Sequence, residues 1–241
     1  MEVHQHTHTP RKKWTHYFWE FFMLFLAVIA GFLVENQREH YIEHKRAKVL
    51  ASSFYNDFKN DLTSLQSIIQ HTQTRINHID SFIMELKKIP VTKNELNLSI
   101  HAAWLLRFQG FARSKTTYEQ VKTSGMLRYF DLEFVNLLTG YDVLAEEARL
   151  REEGEYNILT SHTVYYVMDV MNFEAAYSIY FNQALPENIY FNINDRSTAN
   201  LMINKSLGIK INRMRLLLQF EKMSQKAEVI LLFIKKEYHL N

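Results

Sequence analysis

The stretch "HYFWEFFMLFLAVIAGFLVENQREHYIEH", residues 16–44, sets the fold, because it joins a membrane-like apolar run directly to a charged, helix-forming one. From Tyr17 to Val34 every residue except Glu20 is apolar or small. At 1.5 Å per residue such a run reaches about 27 Å, close to the roughly 30 Å hydrocarbon core of a bilayer. Trp14, Tyr17 and Trp19 sit where an interfacial aromatic belt belongs, beside the basic cluster Arg11, Lys12 and Lys13. A basic segment before an apolar one also describes a cleaved signal peptide. Here the apolar run is longer than a usual signal core, no A-x-A site follows it, and "ENQREHYIEHKR" continues as helix. The expectation is an uncleaved signal anchor.

The domain plan that follows is a His-rich basic tail over 1–13, a transmembrane anchor over 14–35 and a helical bundle over 36–241. Clustered N-terminal charge and a short N-terminus place the tail in the cytoplasm and the bundle in the periplasm of a bacterial inner membrane. Glu20 lies just inside the boundary, where a carboxylate reaches the headgroups or pairs with Lys13 or His16. With Ala27 and Gly31, a small-xxx-small pair, it defines the candidate membrane-helix contact.

Beyond the anchor the chain carries the marks of an all-α protein. It has 241 residues with six Gly and three Pro, which leaves little turn chemistry for a many-stranded sheet. No cysteine is present, which excludes disulfides, thiol catalysis and Cys-ligated metals. The formal charge of +2, with acids and bases interspersed, gives no footprint for nucleic acid.

Residues 36–89 contain no Pro or Gly, and apolar positions recur at steps of four and three: Phe58, Leu62, Leu65, Ile69, Thr72, Ile76, Ile79, Ile83 and Leu86. That is a heptad seam, ending before Pro90. A second seam runs Leu216, Phe220, Met223, Ala227, Ile230 and Ile234. Long first and last helices of this kind are natural antiparallel partners within one bundle. Between them the sequence predicts helices near 97–109, 115–123 and 131–183, the last broken near Gly154, and a loop over 184–197 whose "NIYFNI" suits an edge strand.

"TTYEQVKTSGMLRYFDLEFVNLLTGY", residues 116–141, resembles the Y-x-x-L-x-S-S-G-x-L-R pattern of uncharacterised single-pass membrane proteins common in the Bacteroidota, a family of unknown function. Val121 and Thr123 depart from its Leu and first Ser. The anchor and the ending "LLFIKKEYHLN" are similar to theirs. The resemblance implies an anchor plus a helical domain and brings no activity with it. Physically, Gly125 suits the left-handed position after a helix, with Asp131 capping the next. Tyr118, Leu127, Tyr129 and Phe130 would then pack a structural corner.

Chemical motifs are few. "HYIEH" places His40, Glu43 and His44 in the H-x-x-E-H pattern of inverted zinc proteases, and His residues at i and i+4 can chelate a metal. Arg38 and His44 also fit the Arg–His spacing of HEPN ribonucleases. Both lack a third ligand or cleft in the sequence, so a polar juxtamembrane face is the expectation and a membrane-bound ribonuclease or metal-dependent hydrolase the alternative. His4, His6 and His8 form a weak metal-binding tail. Tyr165, Tyr166, Tyr177, Tyr180 and Phe181 suit core and helix contacts, with a ligand pocket as the other use. The expected protein is a non-enzymatic, membrane-anchored bundle needing no cofactor. It meets the lipid bilayer, and either binds a protein partner, itself or a small ligand, or serves as a subunit of a larger membrane complex.

Overall fold

The computed structural model describes residues 14–239; the His4, His6 and His8 tail lies outside them. The fold is all-α. Its first helix, α1 (Trp14–Leu86), runs 73 residues without interruption, and no strand forms among the described residues, only an isolated bridge between Met171 and Phe191. The chain divides into two compact units, Met1–Val49 and Leu50–Asn241. That boundary falls well beyond residue 35, where hydropathy alone would place it.

In the first unit every residue from Trp14 to Tyr41 is exposed. This part of α1 is long and apolar enough to cross a membrane, and none of its most apolar window is buried against the rest of the chain. A soluble core helix would show the opposite, since an all-apolar surface has to be covered. Its rings stack along one face, Trp14 to Phe18 and Phe18 to Phe22 each at 6.3 Å.

The second unit holds the remainder of α1 with α2 (Glu95–Leu105), α3 (Thr116–Thr123), α4 (Leu132–Ile158), α5 (Val164–Val170), α6 (Phe173–Tyr180) and α7 (Arg196–Tyr238). Side-chain pairings give the directions. Asp61 meets Tyr141 and Arg75 meets Glu155, so α1 and α4 run parallel. Asp80 meets Lys210, and Lys235 lies over Tyr55, so α7 runs antiparallel to α1. The return between α1 and α4 is made by α2, an irregular segment and α3. Two backbone amides of that segment are held by helix carboxylates: Phe111 N donates to Glu152 and Ser114 N to Asp61, each at 2.7 Å.

Heptad packing organises all three long helices, but its register in α1 differs from the apolar one. The buried stripe is Phe54, Phe58, Asp61, Leu65, Ile68, Thr72, Arg75, Ile79, Phe82 and Leu86, with the expected Ile76 and Ile83 buried beside it. Leu62 and Ile69 are only half-buried. The steps of four and three are preserved, with Thr72 on the seam as expected, yet Asp61 and Arg75 hold seam positions that a search for apolar side chains passes over. In α7 the predicted seam from Leu216 to Ile234 is fully buried, and it extends back through Arg213, Ile209, Ser206, Met202 and Ala199. At the end of the bundle nearest residue 50, aromatic rings fill the core, with Phe54 and Phe134 at 5.7 Å and Phe58 and Tyr141 at 4.9 Å.

Helix ends follow local chemistry. Asp195 accepts from Thr198 N at 2.9 Å and starts α7 well before the seam that opens at Leu216. Asn172 accepts from Glu174 N at 2.9 Å and starts α6, which ends the long helix expected over 131–183. "NIYFNI" contributes only the Phe191 bridge rather than a strand. Gly125 takes φ 69°, as the corner requires, and Asp131 stands at the N-cap of α4 without a side-chain capping bond. In that corner Tyr118 and Phe130 are buried while Leu127 and Tyr129 are half-buried.

The expected break at Gly154 does not occur: α4 passes through it, and a Cβ there would meet nothing within 4 Å. Opposite effects are therefore expected at two glycines. Gly125→Ala forces a side chain into left-handed backbone and should lower the free energy of unfolding by about 1–2 kcal/mol. Gly154→Ala removes backbone entropy from the unfolded chain and should raise it by roughly 0.5–1 kcal/mol. Urea unfolding followed by circular dichroism checks both signs.

Candidate functional site

Arg75 of α1, Glu155 of α4 and Arg213 of α7 occupy equivalent seam positions and meet inside the bundle. Their side chains are 2%, 5% and 1% exposed. Arg75 Nη2 and Arg213 Nε both donate to the same oxygen, Glu155 Oε1, the second at 3.0 Å. Arg213 Nη2 also donates to the Leu105 carbonyl at 2.8 Å, which satisfies a backbone acceptor at the end of α2. One carboxylate therefore faces two guanidiniums, and the layer keeps an excess positive charge. Among the described residues Arg213 Nη1, Arg75 Nε and Glu155 Oε2 have no hydrogen-bond partner. Burial, with Arg75 nearby, pushes the Arg213 guanidinium down to about 10, against the pull of Glu155.

Immediately after Glu155 the helix changes gauge. Leu159–Thr163 form a π-turn between α4 and α5, a wider turn common at functional sites. It opens a cleft of about 620 Å³ between this turn with α5 and the facing side of α7. Ser161, His162, Tyr165 and Tyr166 line one side; Lys205, Gly208, Ile209 and Asn212 line the other. Beneath it lies a small inner space of about 10 Å³, bounded by Glu155 and Arg213 and sharing Ile158, Thr163, Ile209 and Asn212 with the cleft. Burial pushes the Tyr166 phenol up to about 12, with Arg213 pulling it the other way.

A second polar cluster flanks the layer on α1 and α2. His78 Nδ1 and His101 Nδ1 are 2.9 Å apart, so the pair shares one proton between these atoms. The His78 ring stacks on Trp104 at 4.3 Å, and the Arg107 guanidinium sits 4.0 Å from the Trp104 ring centre. Burial first, then His101 and Arg107, lowers His78 to about 4.

The residues singled out from sequence lie elsewhere. Glu20 pairs with His16 at 3.1 Å on the exposed helix, and a Cβ at Gly31 would meet nothing within 4 Å. Ala27 is exposed on the same helix. His40 lies 4.0 Å from Glu43, Arg38 engages Glu35 at 3.1 Å, and His44 is exposed. Among the described residues no three His, Asp or Glu gather as a metal would need. Tyr165, Tyr177, Tyr180 and Phe181 are exposed rather than core, because the π-turn and the short α6 turn them outward; Tyr165 and Tyr166 line the cleft instead. Arg75, Glu155 and Arg213 carry no motif. Their signal was a charge on an extrapolated heptad position.

No known protein family, curated protein or solved structure matches the chain.

Two outcomes are expected at this site. Glu155→Gln leaves both guanidiniums without their counter-charge and should cost roughly 3–5 kcal/mol, while Arg75→Gln leaves a one-to-one pair and should cost less; urea midpoints rank them. For pH, His78 is held neutral in the fold down to about 4, whereas an unfolded His titrates near 6.5. Between those values the unfolded chain binds more protons, so this contribution to stability is present above about 6.5 and is lost as pH falls. His78→Gln should flatten the fall in unfolding midpoint over that window relative to wild type.

Proposed function

We propose that the chain is a membrane-anchored, non-enzymatic binding protein whose helical domain takes up a small ligand in the π-turn cleft. The cleft carries this reading. Its volume, about 620 Å³, lies in the usual range for small-molecule sites, and it combines apolar and aromatic walls with a few polar groups. The exposed apolar run at the start of α1 supports anchoring, since nothing among the described residues covers it. The charge clustered before it supports a cytoplasmic N-terminus and a domain outside the cytoplasm. Contact between Glu20, Ala27, Gly31 and a partner helix would add a membrane-complex role, favoured by the open space at Gly31.

One experiment addresses location and cleft together. The chain has no cysteine, so Ser161→Cys, at an exposed position on the cleft wall, introduces a sole thiol. A maleimide that does not cross membranes should label it in intact cells, and phenylethanol should slow the labelling. Labelling only after lysis would reverse the orientation. An unchanged rate with phenylethanol, and with the related phenylacetate, would end the cleft reading.

A further inference from the structure

We infer that the cleft selects a carboxylate carried on a small apolar or aromatic body, with one carboxylate oxygen entering the inner space to meet Arg213; this rests on the cleft being a ligand site. Three independent observations converge. The first is charge. Arg75 and Arg213 share one Glu155 oxygen, so the floor beneath the cleft holds one more cation than anion in a medium of low polarity, where that imbalance is felt strongly. The adjoining groove lined by Glu155, Ile158 and Asn212 adds Arg151 and Arg215. Asp169 and Lys205, at the cleft, offset each other in sign.

The second is an unspent donor. Arg213 is 1% exposed, and its Nη1 has no partner among the described residues, although buried guanidinium N–H groups are costly to leave unpaired. The third is size. An inner space of about 10 Å³ accommodates roughly one water-sized group. A single oxyanion oxygen fits that limit with the rest of the group left in the cleft, where apolar and aromatic walls with only Lys205 against Asp169 suit the single charge of a carboxylate better than a phosphate dianion. The unpartnered Glu155 Oε2 bounds the same region as an acceptor. A neutral head that both donates and accepts, such as an amide, is therefore the chemical competitor, and the net positive charge favours the anion over it.

The body of the ligand has its own wall. Gly208 lies mid-helix in α7 on the cleft, and a Cβ there would meet nothing within 4 Å. A larger side chain at 208 therefore fills the cleft without disturbing the packing of α7, and improves helix propensity.

The test uses the full chain in lipid nanodiscs with phenylacetate, phenylacetamide and phenylethanol as probes, read by competition in saturation-transfer NMR. Phenylacetate should bind about tenfold more tightly than phenylethanol, the increment expected for a buried charge-assisted hydrogen bond, and more tightly than the amide. Gly208→Leu should abolish binding of all three while keeping the helical circular dichroism signal. Added sodium sulfate should leave the preference standing, because a buried charge is weakly screened. Equal affinities that Gly208→Leu abolishes would keep the cleft as a ligand site and overturn the carboxylate assignment. A preference erased by salt would place recognition at exposed Lys205 and overturn it as well. No binding by any probe, or binding indifferent to Gly208→Leu, would overturn both proposals.

Discussion

Everything in the helical unit is arranged around the sharing of Glu155 by Arg75 and Arg213. These three side chains come from α1, α4 and α7, and a fourth element joins through the Leu105 carbonyl. Apolar seams tolerate sliding by a heptad, because one Leu or Ile layer resembles the next. A buried charge does not, since a slip would leave it facing hydrocarbon without its partner. The layer thus fixes the axial register of three helices whose other contacts are generic. Asp61 does a related task one half of the bundle away: it accepts from the Tyr141 hydroxyl and from Ser114 N, each at 2.7 Å, and so fastens the irregular return segment to α1 and α4.

The π-turn follows from that register. Up to Leu159 the buried positions of α4 keep steps of three and four: Phe134, Leu138, Tyr141, Ala145, Ala148, half-buried Glu152 and Glu155. Thr163 and Val167 are the next buried residues, four and eight beyond Leu159. A π-turn accommodates the extra residue and keeps Val167 in the core it shares with Ala199, Met202 and Ile209 of α7. The cleft lies along the exposed side of that turn. Its floor is the charged layer that fixed the register, so packing constraint and binding surface are two sides of one arrangement.

The sequence made much of this legible, and its failures have physical causes. The anchor-like run, the two long helices, the stop before Pro90 and the left-handed Gly125 follow from local rules that need no tertiary information. In α1 the apolar pattern departs from the buried one at Leu62 and Ile69, because Asp61 and Arg75 occupy core positions and hydrophobicity gives no sign of a polar residue that is buried through its partners. The end of the long middle helix differs from the expected one for a similar reason. Gly154 is a weak breaker when both flanking turns pack on α7, whereas Asn172 gains capping bonds and a link to the Asn188 carbonyl at 2.7 Å. Partners brought together across the fold, including Arg75 with Glu155 eighty positions away, leave no local pattern.

Stability alone gives no reason for a layer of two guanidiniums and one carboxylate. Apolar residues of similar volume in such positions usually hold a bundle together as well or better, because desolvating the ions costs more than their attraction returns. Register could be fixed by a single neutral pair, so it accounts for Glu155 with one arginine and leaves the second unexplained. The second, Arg213, is the one that borders the inner space under the cleft, and its Nη1 has no partner among the described residues. An anion arriving from the cleft would supply what the layer lacks in both charge and hydrogen bonding. By linkage, whatever binds the folded state alone stabilises it, so an anion that relieved the charge imbalance at Arg213 would also raise the stability of the bundle.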